Sequence, residues 1–219
     1  MKAKHLLIVG IFALGICLTA TPGGAEVVFS LPGGTVIPMP AIEYQGPGPH
    51  IFGPDITWTS TNADTNGGSL FGNTGVYAFG ANGNWDGGLG PMATVNDSYD
   101  IDGVTDTMTF AFATPVGGVG GFLNYAPYDL TPTTIAVYDA SHNLIESFNL
   151  IFHTDGSTNS GMFIGFQETT ANISYFTLTD NFIGITNLTT ANPVPLPGAV
   201  WLLGSGLVGL AGLSRKFRR

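Results

Sequence analysis

Between Met108 and Leu188 the chain repeats one design: a strand-length run rich in Val, Ile, Phe, Tyr and Thr, then a cluster of Gly, Pro, Asn, Asp or Ser. No other feature restricts the fold as much, because β-branched and aromatic residues in period-2 alternation suit a pleated, half-buried surface. Met108, Phe110 and Phe112 alternate with Thr109, Ala111 and Ala113, so one face of that run is apolar. The pattern predicts strands over 108–113, closed by Pro115, and then over 119–125, 134–139, 144–152, 162–167, 173–179 and 182–188. Ala140-Ser141-His142-Asn143 reads as a hairpin link, and Asp180-Asn181 as another. Glu146 falls in step with Leu144, Phe148, Leu150 and Phe152, which puts it near a strand end or beside a buried partner. With almost no amphipathic helix present, the expected fold is all-β, an antiparallel β-sandwich of jelly-roll type.

The segment before this is less regular. Six prolines from Pro32 to Pro54, with glycines among them, leave room only for short edge strands over 27–31 and 42–45, since proline cannot donate to a central ladder. Strands follow over 55–60 and 70–79, the second weakened by Gly72 and Gly75, with a polar loop over 61–69 between them. The longest irregular stretch is 80–102. Loops of that length in a compact domain are usually functional or disordered, so a binding site is first sought there.

Charge is distributed unevenly. The formal net charge is −9, yet all six Lys and Arg lie at the two ends, and every one of the fifteen Asp and Glu lies between Glu26 and Asp180. A body without a cation to neutralise phosphate is not a nucleic-acid binder by the usual electrostatic route. The sole cysteine, Cys17, sits in the first apolar run, so the body has no disulfide and must be held by packing. The length suits one extracytoplasmic domain over 26–190.

Residues 1–25 have the layout of a secretory signal: Lys2 and Lys4, an apolar centre over 6–18, then small residues up to Ala25. Cleavage after Ala25 leaves Glu26 as the first mature residue. The alternative is an uncleaved membrane helix, for which the apolar run is short. Residues 191–219 form a second terminal unit. Val194-Pro195-Leu196-Pro197 is kept extended by its prolines, an uncharged run covers 198–213, and Arg215, Lys216, Arg218 and Arg219 act as a membrane stop. That run spans a bilayer only with help from snorkelling basic side chains.

Most catalytic constellations are excluded. The body has no cysteine nucleophile, no lysine for a phosphate loop, no nucleophile-elbow serine after a strand, and its histidines, His50, His142 and His153, stand in unrelated contexts. Asp97, Asp100, Asp102 and Asp106 are the candidate metal ligands, because calcium takes several oxygens from a flexible loop. The alternative is that they are turn formers. Trp85 in its Gly/Asn loop, with Tyr99, Tyr125 and Tyr128 as its expected aromatic companions in the fold, is the candidate sugar-stacking platform; the alternative is a plug sealing the end of the sandwich. Trp58 alternates within a strand and is expected in the core.

Val194-Pro195-Leu196-Pro197-Gly198, followed by Trp201-Leu202-Leu203-Gly204-Ser205-Gly206 and the basic tail, closely resembles the PEP-CTERM class of exosortase sorting signals in its VPLP variant. That variant often has alanine where this chain has Gly198, and the resemblance covers 193–219. It implies a Gram-negative bacterial protein exported through the inner membrane and held there transiently by the tail, basic end inside. An exosortase-type membrane transpeptidase then cuts near the motif and passes the protein to the cell surface or extracellular matrix. An uncleaved single-pass anchor is the alternative. The body, particularly over 110–125 and 134–150, looks like the β-rich ectodomains commonly attached to this signal, a likeness that brings no catalytic residues. The expected function is therefore a non-enzymatic surface or matrix protein that contacts exopolysaccharide or envelope glycan. A carboxylate-based glycan hydrolase and a purely structural matrix protein are the alternatives.

Overall fold

A computed structural model describes residues 24–85, 88–96, 105–127, 132–180 and 182–193. Most of the expected signal segment, the sorting motif and the basic tail lie outside the described residues. No helix among the described residues is long and apolar enough to cross a membrane.

The short N-terminal strands are β1 (Glu26–Val28), β2 (Thr35–Val36), β3 (Tyr44–Gln45) and β4 (His50–Phe52), followed by β5 (Ile56–Ser60) and β6 (Ser69–Asn73). A small ribbon, β7 (Tyr77–Ala78) and β8 (Asn84–Trp85), flanks a 3-10 turn at Gly80–Asn82. The regular half contains β9 (Met92–Asn96), β10 (Asp106–Val116), β11 (Gly118–Tyr125), β12 (Thr134–Tyr138), β13 (Leu144–Asn149), β14 (Met162–Gln167), β15 (Ile173–Asp180) and β16 (Phe182–Ala191). Two antiparallel sheets result. The larger runs β1-β14-β11-β16-β9-β6-β3, with β2 also on β16; the smaller runs β13-β12-β15-β10-β5-β4.

The strand order is interleaved. From β9 to β16 the chain changes sheet at every connection except β12 to β13, the only hairpin within that set. Each period-2 strand therefore sends one face inward. Met108, Phe110 and Phe112 of β10 meet Phe176 and Leu178 of β15, Ile135 and Val137 of β12, and, from the larger sheet, Val119, Leu123, Phe166, Ile183 and Ile185. Burying each such side chain contributes about 1.5–3 kcal/mol, which is what holds a domain without cysteine. Trp58 is fully buried among them, as expected.

Several expectations need correction. Asp180-Asn181 is not a hairpin: β15 belongs to the smaller sheet and β16 to the larger, so the chain crosses the sandwich there. Pro115 does not end its strand, since β10 continues to Val116 across a register break between Ala111 and Val116 that takes the proline out of the ladder. The run over 70–79 is two strands, β6 and β7, with Gly72 at φ 74°. Glu146 lies on β13, the edge of the smaller sheet, opposite Val137; a bulge there admits Ile145, which packs against the core while Leu144 is exposed.

The largest correction concerns 80–102. Within it lies β9, a strand near the middle of the larger sheet between β16 and β6. Ahead of β9, the β7–β8 ribbon folds over the outer face of that sheet. Phe79 and Trp85 rest above Gly184, where a Cβ would lie 2.8 Å from the Trp85 ring and 2.9 Å from the Phe79 ring. With Leu70, Tyr77 and Met92 they form a second apolar cluster. Asn82 fastens the flap: its carbonyl accepts from Asn124, Thr154 and Asn159 side chains, and its side-chain oxygen accepts the Thr154 N–H.

Candidate functional site

The outer face of the larger sheet is thus partly covered by the flap, whereas that of the smaller sheet is left half-exposed. Register defines what the latter presents. Tyr138 of β12 is opposite Tyr175 of β15, which is opposite Ala111 of β10, which is opposite Thr57 of β5. The next row is Ala136, Thr177, Thr109 and Thr59, and the one after it contains Thr134, Thr179 and Thr107. Side chains two apart on a strand share a face, so these rows form one surface of threonine and alanine with two tyrosines, and they contain no carboxylate, amine or imidazole. The Thr107 and Thr179 hydroxyls are 2.8 Å apart, a hydrogen bond across the two central strands.

At one end of the rows a shallow groove of about 210 Å³ is lined by Thr109, Tyr138, His142, Tyr175 and Thr177. His142 completes it from the β12–β13 turn. Its ring lies edge-on to Tyr175, with centroids 4.1 Å apart. The backbone at His142 is left-handed, φ 61°, a conformation that needs support in a residue other than glycine. Asp139 supplies it: one carboxylate oxygen accepts the N–H groups of Ser141 and Asn143 at 2.8 and 2.9 Å, and the other accepts the Asn143 amide. Those bonds, the Asn143 side chain first, hold the Asp139 carboxyl below the usual carboxylate range. The turn is pre-formed, and so is the placement of the imidazole.

The expected site residues fare differently. Trp85 is not an exposed sugar platform: it is fully buried, its ring edge-on to Phe79 at 4.8 Å, because the flap needs an apolar plug against Gly184. Tyr125 is also buried, and its hydroxyl donates to the Phe152 carbonyl. Tyr99 and Tyr128 lie outside the described residues, as do Asp97, Asp100 and Asp102. Asp106 opens β10 opposite Asp180 and accepts a hydrogen bond from Thr61 at 2.7 Å. No group of three or more potential metal ligands occurs among the described residues. Ala25, before the expected signal cut, is buried against the core, and Glu26 begins β1. Of the groove, only Thr109 and Thr177 carry a sequence signal, the repeat Thr57-Trp58-Thr59, Thr107-Met108-Thr109 and Thr177-Leu178-Thr179 whose outward members form the face; Tyr138, His142 and Tyr175 carry none.

One buried acid stands apart from this face. Glu168 follows β14, is 5% exposed, and its Oε2 has no hydrogen-bond partner among the described residues. Burial pushes its carboxyl above the ordinary glutamate value. The folded state therefore binds the proton more tightly than the unfolded chain. That contribution is greatest below the unfolded pKa and is lost as pH rises through the folded one. Glu168→Gln is expected to raise stability at pH 7 and flatten the stability profile above the ordinary glutamate range, read from urea midpoints across pH; an unchanged profile would show that Glu168 is solvated.

Comparison with protein-family models, with curated proteins and with solved structures returned no match.

Proposed function

We propose that this chain is an exported surface or matrix protein, processed at its C-terminal motif by an exosortase-type enzyme, whose non-catalytic β-sandwich contacts polysaccharide. The interleaved order β9-β16-β11-β14 against β10-β15-β12-β13 supports the jelly-roll reading of that sandwich. The observation that carries the glycan contact is the groove formed by Tyr138, Tyr175 and His142 on an open sheet face. Aromatic rings supply the apolar surface a sugar ring covers, and adjacent hydroxyls hydrogen-bond its substituents. The sorting half rests on Val194-Pro195-Leu196-Pro197, the apolar run and the basic tail.

Two measurements test the two halves. On a glycan array the protein is expected to give a signal that Tyr175→Ala lowers by about tenfold, the loss of roughly 1.4 kcal/mol of contact. Trp85→Phe, on the covered face of the other sheet, should leave that signal intact. Mass spectrometry of surface material is expected to find Glu26 at the N-terminus and no peptide containing Trp201; intact tail in that material would refute processing.

A further inference from the structure

We propose that the glycan is uncharged and extended, lying from the Tyr138–Tyr175 groove across the threonine rows. This rests on the polysaccharide reading above and narrows it to a ligand class. Charge argues first. The chain has no Lys or Arg between Glu26 and Ser214, so an anionic polymer meets no counter-charge and is repelled by the carboxylates around it. Among the described residues the rows of the face offer no carboxylate to a cationic polymer: they are Thr, Ala and Tyr, and the nearby Asp139 carboxylate is engaged within its own turn.

Shape argues second. From Thr177 and Thr109 in the groove wall the same row continues outward to Thr59 on the next strand. Neighbouring strands are about 4.8 Å apart, and side chains on one face of a strand repeat at about 6.8 Å, so the hydroxyls form a lattice. The Thr177 hydroxyl donates to the Ala136 carbonyl and keeps its lone pairs for a ligand; the Thr109 and Thr59 hydroxyls can both donate and accept, and each threonine methyl covers apolar C–H surface beside it. A polymer with hydroxyls on its edges and C–H groups on its faces matches such a lattice over several units. A single sugar fills only the groove.

The test uses the full chain in a detergent without a sugar headgroup, titrated calorimetrically with neutral hexasaccharides (glucan, xylan, mannan), their monosaccharides, and charged oligomers of the same length (oligogalacturonate, chitosan oligomer). At least one neutral hexasaccharide is expected to bind about tenfold or more tighter than its monosaccharide. Its affinity should hold steady from about 50 to 500 mM salt. Thr59→Val, which lies on the row beyond the groove lining, keeps the shape and removes the hydroxyl, and should weaken the hexasaccharide roughly threefold or more while leaving the monosaccharide and the melting temperature unchanged. Tighter binding of a charged oligomer, or equal affinity for hexasaccharide and monosaccharide, overturns the neutral extended ligand while leaving a glycan contact in place. Binding of none of these sugars overturns the glycan reading itself.

Discussion

Trp85→Ala is expected to destabilise the domain by about 3–5 kcal/mol, the range for removing a buried large aromatic. The indole is fully buried in the smaller apolar cluster, edge-on to Phe79 and seated on Gly184, with Tyr77 completing the aromatic stack. Deleting it leaves a cavity between the β7–β8 flap and the outer face of the larger sheet. The backbone around it is tied down by Asn82 and cannot collapse fully into that space. Urea denaturation measures the loss, and native proteolysis should then cut first in the flap. Trp85→Phe retains part of the plug and should cost less. A Trp85→Ala protein with native stability would mean that the flap does not rest on this ring.

Gly165→Ala is expected to be comparably damaging for the opposite reason, overfilling. Gly165 lies on β14, paired with Gly120 of β11 on one side and Val28 of β1 on the other. A Cβ there would fall 2.3 Å from the Val119 carbonyl oxygen and 2.7 Å from the Gly120 Cα. Both obstacles are main chain, so no rotamer change relieves them and the β11–β14 seam itself must open. Overpacking usually costs about 1–3 kcal/mol, and a clash with backbone in a central seam belongs at or above the top of that range. Gly75→Ala is the control. Its nearest neighbour is the Asn73 side-chain oxygen at 3.2 Å, which accepts the Gly75 N–H and has to give by only a few tenths of an ångström, and surface changes of that kind stay within about 0.5 kcal/mol. Equal denaturation midpoints for the two variants would show that the seam has slack.

Much of the fold was legible because its determinants are local. Period-2 alternation located β10 through β16, and the prolines between Pro32 and Pro54 confined their segment to the short strands β1 to β4. The errors fall where a local signal was ambiguous. Met92-Ala93-Thr94-Val95 is a strand only because β16 and β6 pair with it on either side, and its glycine- and asparagine-rich surroundings read as loop. Trp85 stood among Gly, Asn and Asp, so its neighbours in sequence left an exposed platform and a buried plug both open; its neighbours in space, Phe79 and Gly184, make it the plug. The candidate site was missed for a related reason. Tyr138, His142 and Tyr175 come from two strands and a turn, and only sheet register brings them together.

By itself the sequence determined the β class, the confinement of every Lys and Arg to the two ends, and a stretch between them with fifteen carboxylates. The tertiary structure alone decided which strands share a sheet, where the flap lies, and which outer face stays open. The physical reason is that alternation marks the two sides of a strand but is silent about its partners. Partnership is settled by long-range pairing and core packing, so whether Thr109 and Thr177 cover a neighbour or offer their hydroxyls to a ligand is not written within either strand.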